Sequence, residues 1–327
     1  MQYAQLGNTG KKVSRLCIGC MSFGGPDAAG FEWTLGYEDS KRVIDRAIDL
    51  GIDFFDTADV YSHGKSEEIV GKALEGRRND VVLATKVGLP MGEGPGERGL
   101  GDHHVRQSLE KSLVRLKTDR IDLYQIHRWD YATPIEQVLR TLTDAVRKDG
   151  SVGHIGASSM WAWQFAQALK TSDRMGLERF ATMQNHYNLA YREEEREMIP
   201  MCIAEGVAIN PWSPLARGFL SGKYKRGAQP RTVRYQRDPW MSSRYFRPED
   251  FDVAERLEEV AKEKGLKPSQ LALAWILSKP GVVSPVVGPT SVAQLEELTS
   301  ALDVLLTTDD TKRLEDPYRP HPVMGHE

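Results

Sequence analysis

Short apolar runs alternate along this chain with longer segments whose apolar positions recur at helical spacing, the signature of strand followed by helix. The first run, 16–19, precedes a segment over 39–49 in which Val43, Ile44, Ala47 and Ile48 line one face, and Gly51 closes it as a helix stop signal does. The pairs that follow are strand 52–57 with helix 66–74, strand 81–86 with helix 102–116, and strand 121–127 with helix 133–148. In the last of these Thr133 reads as the N-cap and Pro134 as the first helical residue, positions those residues favour. Four more pairs complete the series: 152–157 with 161–170, 182–185 with 193–205, 207–211 with 268–278, and 283–287 with 292–301. No hairpin signal separates these strands, so the sheet they form is parallel, and eight is the number at which such a sheet closes. The pattern predicts an α/β fold, a (β/α)8 TIM barrel occupying 1–327 as a single domain. Residues 1–13, with turn chemistry at Gly7-Asn8-Thr9-Gly10, predict an N-terminal β-hairpin plugging the lower end. Two connections, 89–96 and 215–248, are long and both follow strands, which puts them on the C-terminal face where barrels bind their ligands.

Composition narrows the function classes. A hydrophobic fraction of 40% with 27% charged residues supports a full core without staples. The formal charge of −3 lacks the basic surplus expected of a nucleic-acid binder. Three cysteines, Cys17, Cys20 and Cys202, are too few and too scattered for a disulfide framework, and the Cys17/Cys20 pair has no second ligand pair to make a metal site. The N-terminus shows no charged region followed by an apolar core, and no apolar run approaches the length of a membrane span. The expectation is a cytoplasmic protein without nucleic-acid, membrane or metal partners, with a homo-oligomer left open.

Candidate chemistry sits at the strand ends. The run 53–56 closes with Asp56, with Tyr61 five positions beyond it; Lys86 closes the next run and His127 the one after. In successive parallel strands of one barrel these four side chains converge on one mouth. A neighbouring ammonium stabilises phenolate, so Lys86 is expected to draw the acidity of Tyr61 toward neutrality, with Asp56 holding Lys86 charged. His127 would hydrogen-bond a carbonyl oxygen and stabilise its developing charge. Asp59 and His63, which flank the tyrosine, are read as non-catalytic.

Set in Gly51-Ile52-Asp53-Phe54-Phe55-Asp56-Thr57-Ala58 and Leu123-Tyr124-Gln125-Ile126-His127, this set resembles the catalytic tetrad of the aldo-keto reductase superfamily. The resemblance continues in Ile155-Gly156-Ala157-Ser158-Ser159, Gln184-Asn185, Pro211-Trp212-Ser213-Pro214-Leu215-Ala216-Arg217-Gly218 and Val287-Gly288-Pro289-Thr290-Ser291. Within the superfamily, Trp212 to Ala216 and the His127-Arg128-Trp129-Asp130 continuation are most similar to the bacterial YajO-like reductases, relatives of the potassium-channel β subunits. The resemblance implies NADPH/NADP+ extended across the barrel mouth, with NADH as the alternative cofactor. It implies that Ser158, Ser159 and Gln184 hold the nicotinamide carboxamide, with Trp212 stacked on the ring and Met21 and Asp56 close by. Ser213, Pro214, Leu215, Gly218 and Lys223 would line the pyrophosphate, and Gly288, Thr290, Ser291, Gln294 and Glu297 the adenosine end. Three positions depart from the family pattern: Ser159 replaces asparagine or arginine, Leu298 replaces an adenine-contacting asparagine, and 288–294 contains no basic residue. Arg231 or Arg234, in the long connection 215–248, would be the substitute grip on the 2′-phosphate, with a solvated basic loop as the alternative reading.

The implied reaction is reversible reduction of an aldehyde or ketone to an alcohol, with Tyr61 as proton donor. Trp33, Tyr61, Met91, His127 and Trp129 are the candidate substrate contacts, and their aromatic character suits aryl or aliphatic carbonyls. Two readings compete with it. One is a redox-sensing NADP(H)-binding subunit with slow turnover; the other is a lyase in which Lys86 forms a Schiff base.

Overall fold

The computed structural model describes residues 1–25, 30, 32–94, 96–229 and 232–326. At the N-terminus β1 (Tyr3–Gln5) and β2 (Lys12–Ser14) form the expected antiparallel hairpin, with Tyr3 opposite Ser14. Its turn is pressed onto the barrel floor: Gly7 has φ +55°, and a Cβ there would lie 2.6 Å from the Ala181 carbonyl oxygen, a position only glycine fills without strain.

Eight parallel strands follow: β3 (Cys17–Gly19), β4 (Phe54–Asp56), β5 (Val82–Val87), β6 (Ile121–Ile126), β7 (Val152–Ser158), β8 (Thr182–Gln184), β9 (Ala208–Ile209) and β10 (Val286–Val287). They pair in sequence order, with β10 beside β3. The ring closes between β9 and the approach to β10, where Val283 N–H donates to the Ile209 carbonyl (2.7 Å) and Val286 N–H to that of Pro211 (2.8 Å). This is the (β/α)8 barrel that the alternation predicts.

The outer layer comprises α1 (Tyr37–Asp49), α2 (Lys65–Ala73), α3 (Asp102–Leu116), α4 (Ile135–Arg147), α5 (Ala162–Met175) and α6 (Met198–Ala204). After β9 come two short helices in the long connection, α7 (Val233–Arg237) and α8 (Pro239–Arg244), then α9 (Pro248–Glu263), α10 (Pro268–Leu277), α11 (Val292–Thr299) and α12 (Thr308–Glu315). Helices α9 and α12 go beyond the sequence pattern, yet α9 buries Phe251, Val253, Ala254, Leu257, Val260 and Ala261 at helical spacing. Thr133 is not the cap of α4. Its hydroxyl donates to Asp130 Oδ2 at 2.7 Å, and Asp130 also binds Leu100 N–H and Ala132 N–H, so Pro134 becomes the N-cap and the helix opens at Ile135. Helix α6 is shorter than 193–205, because Glu193–Glu195 forms a separate 3-10 turn. Among the described residues no helix is long and apolar enough to cross a membrane.

What positions the site is the period-2 alternation of the strands. The lower inward positions, Cys17, Phe54, Ala84, Leu123 and Ala208, pack with Leu6 and Val13 of the hairpin into an apolar plug. Two residues further along β4, β5 and β6 stand Asp56, Lys86 and Gln125, all buried. The same face that is dry at the floor carries the polar groups at the mouth.

Candidate active site

Lys86 is the centre of the arrangement. Its side chain is fully buried, and Nζ donates to Asp56 Oδ2 (2.5 Å), the Thr57 carbonyl (2.8 Å) and Tyr61 Oη (3.3 Å). An ammonium has three N–H bonds, and all three are used. Asp56 Oδ1 accepts from Gln125 Nε2 (2.8 Å) and Gln184 Nε2 (2.9 Å), so both carboxylate oxygens are engaged. A buried ion pair survives only with such full satisfaction.

Charge states follow from these surroundings. Burial disfavours the Lys86 ammonium, but the Asp56 carboxylate and Tyr61 outweigh it and its pKa lies above the ordinary lysine value. Tyr61 does not behave as the sequence suggests. Burial raises its pKa more than Lys86 lowers it, so Tyr61 rests as a neutral phenol carrying its proton. His127 is held neutral: burial first, then Arg128 and Lys86, push it well below the ordinary histidine value. Its ring meets the Tyr61 ring edge-on at 5.7 Å and 81°. Close to this set, facing Glu67 of α2 and Arg115 of α3, the Asp59 carboxylate is buried with no well-formed hydrogen bond on either oxygen. Burial and then the Glu67 carboxylate push its pKa up to about 7, while Glu67 itself binds Thr85 Oγ1 and Arg115 Nε, each at 2.6 Å.

A cleft of about 1010 Å³ opens above the strand ends. At its catalytic end stand Met21, Asp56, Tyr61, His127, Ser158 and Gln184, with Trp33, Leu89 and Trp212 among its aromatic and apolar walls. The Trp212 ring is fixed from behind by His186 (4.1 Å, 8°), which stacks in turn on Tyr191 (4.1 Å, 12°). Ser213, Pro214, Leu215, Gly218 and Lys223 line the middle, and Gly288, Thr290, Gln294 and Glu297 the far end; Arg234 lies over the Trp33 ring, 4.3 Å from its centre, and pairs with Asp238. The other candidates lie elsewhere. Ser159, with φ +42°, spends its hydroxyl accepting Trp212 Nε1–H at 2.8 Å, and Ser291 caps α11 by accepting Gln294 N–H. Met91 and Trp129 stand outside the cleft lining. Leu89 serves from the first loop, and Trp129 packs beside Trp163. Arg231 lies outside the described residues.

Several site residues escaped the sequence reading. Gln125 is the inward neighbour of His127 two positions before it, so strict alternation along β6 marks it. Arg128, Arg217, Trp240 and Arg244 also line the cleft, and three of them come from the long connection after β9, where no periodicity locates a side chain. The donor set suits a dinucleotide: cationic Lys223 in the middle of the groove, and an indole face at the catalytic end.

Residues 15–319 match the profile of the Aldo/keto reductase family. The chain belongs to that family. It is 40% identical, over an alignment 346 positions long with gaps, to the versiconal hemiacetal acetate reductase of Aspergillus parasiticus, covering 99% of this chain and 98% of that protein. It is 38% identical to a putative aryl-alcohol dehydrogenase of Schizosaccharomyces pombe (99% and 97% covered), and 37% identical to the uncharacterized oxidoreductase YrpG of Bacillus subtilis (97% and 96%). This aldo/keto reductase is thus an oxidoreductase of carbonyl and alcohol groups, a class that works with a nicotinamide cofactor and a small carbonyl substrate.

Proposed function

We propose that the protein is an NADPH-dependent reductase that interconverts aldehydes or ketones with alcohols, using Tyr61 as the proton donor. The observation that carries this reading is the Lys86 ammonium held between Asp56 and the Tyr61 phenol. When bound, the nicotinamide supplies hydride from its C4 carbon. As hydride reaches the carbonyl carbon, the oxygen gains negative charge and takes the proton from Tyr61 Oη. The phenolate left behind is stabilised by Lys86, and Tyr61 regains its proton from solvent. Neutral His127 donates a hydrogen bond that orients the carbonyl oxygen. In this reading Trp212 backs the nicotinamide, Ser158 and Gln184 face its carboxamide, and Ser213, Leu215, Gly218 and Lys223 face the pyrophosphate. Gly288, Thr290, Gln294 and Glu297 surround the adenosine end. Aryl and aliphatic carbonyls suit the Trp33, Leu89 and Trp212 walls, in keeping with the aryl-alcohol dehydrogenase and hemiacetal reductase among its relatives.

The saturated Nζ also speaks against a Schiff-base role, since imine formation needs a free amine lone pair and Lys86 has none to offer. Tyr61→Phe should lower kcat/KM for aldehyde reduction by about 10³-fold or more, while NADPH still quenches the protein fluorescence. A variant that reduces aldehydes at the parental rate would remove Tyr61 as the acid. Equal or better turnover with NADH would remove the cofactor preference.

A further inference from the structure

The catalytic end of the cleft carries more positive charge than carbonyl reduction calls for. Arg128, Arg217, Arg234 and Arg244 all line it. One buried carboxylate, Asp238, pairs with both Arg217 and Arg234. Among the described residues neither Arg128 nor Arg244 has a carboxylate within ion-pair distance. Asp56, a buried acid that lines the cleft, is already committed to Lys86, and Asp59 is not among the lining residues. Glu32 stands at the exposed rim against Gly30 N–H. Arg217 is the most constrained of the four: it is 7% exposed, sits at φ +56°, and its Nε is buried without a hydrogen-bond partner. An unpartnered guanidinium N–H in a buried site is costly unless a ligand completes it.

The position of the excess indicates what completes it. Arg128 borders Tyr61, and Arg244 and Arg217 repel its charge, adding to burial to bring its pKa down to about 10. The Arg244 guanidinium lies 5.2 Å from the Trp212 ring centre and 5.5 Å from that of Trp240, and Arg217 lies 5.4 Å from Trp240. These groups therefore surround the phenol and the indole where the carbonyl is reduced. Lys223, in the middle of the groove, instead interacts with Glu297 of the far end. A guanidinium fork binds carboxylate or phosphate bidentately.

We propose that Arg128, Arg217 and Arg244 form a subsite for an anionic group on the substrate itself, so that the preferred substrate is an aldehyde or ketone carrying a carboxylate or phosphate. This rests on the carbonyl-reductase reading above and deepens it. The three guanidiniums take the anion and leave the carbonyl oxygen facing Tyr61 and His127. The Trp33, Leu89 and Trp212 walls cover the carbon skeleton between them.

The test compares pairs with and without the anionic group: 2-, 3- and 4-carboxybenzaldehyde against their methyl esters, and glyceraldehyde 3-phosphate against glyceraldehyde, each with saturating NADPH. At least one anionic member should exceed its neutral partner in kcat/KM by about 10- to 100-fold, the range of one charge-assisted pair. Which pair shows it distinguishes carboxylate from phosphate. In Arg128→Leu and Arg244→Leu the ratio should fall by about tenfold or more through KM, with Arg244→Lys recovering part of it. Neutral aldehydes turned over as well as their anionic partners would overturn the subsite. So would a ratio preserved in both variants, or a loss traced to a weaker Kd for NADPH, which would assign the arginines to the cofactor. If no carbonyl is reduced at all, the reductase reading fails. The subsite is then decided by binding: a thermal shift with the carboxybenzaldehydes and none with the esters supports it, and equal shifts sink it.

Discussion

At the floor of the barrel, Phe54, Ala84 and Leu123 pack with Leu6 and Val13 into a plug lined by apolar side chains. One inward position further along the same three strands stand Asp56, Lys86 and Gln125. The backbone differs as sharply as the side chains. Ser159, Ser213, Ala216 and Arg217 hold left-handed φ values around the mouth, a conformation that costs a non-glycine residue on the order of 1 kcal/mol or more. The comparison teaches that stability is concentrated where nothing reacts. Burial of the floor offsets charges and strained turns that the mouth holds for another purpose.

Three substitutions would break or sharpen that contrast. The largest effect is expected from Lys86→Met, which leaves the Asp56 carboxylate buried without its cation. Breaking a buried pair costs about 3–5 kcal/mol, and aldehyde reduction should fall by about 10²- to 10⁴-fold. Thermal unfolding and steady-state kinetics on one sample would show both losses together; an intact Tm would mean that the mouth is not the strained end. Phe54→Ala, at the floor, should destabilise by about 3–5 kcal/mol with kcat/KM of the folded fraction unchanged. A matching loss of catalysis would show the two ends to be coupled.

The smallest effect is confined to a pH window. Asp59 has an ordinary pKa of 3.8 in the unfolded chain and about 7 in the folded one, so between these values the folded state holds the extra proton. Stability is then greatest below the window and declines as pH rises through about 7. Asp59→Asn removes this titration. Its unfolding free energy should fall less than that of the parent between pH 5 and pH 8, a difference on the order of 1–3 kcal/mol. Parallel curves for the two proteins would show that the carboxylate is ionised throughout.

The same contrast explains what could be read from the chain. Regular alternation made the barrel legible, because each apolar run had to be a strand buried on both faces. Asp56, Lys86 and His127 stood out by ending such runs, and the structure brings them with Tyr61 to one mouth. The direction of the Tyr61 shift was not legible, since it depends on how far the fold desolvates the phenol against the pull of Lys86. Arg217 and Arg244 were hidden for another reason: they project from the connection after β9, whose path is set by aromatic packing of Phe219, Tyr224, Phe246 and Phe251 and not by any period. Helix α12 was missed even though its own capping box, Thr307 with Asp310, is present.

The sealed position of Lys86 makes it an internal clock for the whole barrel. Succinimidyl esters and acetylating reagents need a solvent-facing free amine, which Lys117 and Lys148 on the exterior provide. Lys86 would take up such a label only when the cylinder opens, so the rate at which its peptide is modified would measure global unfolding under conditions where the enzyme is still at work.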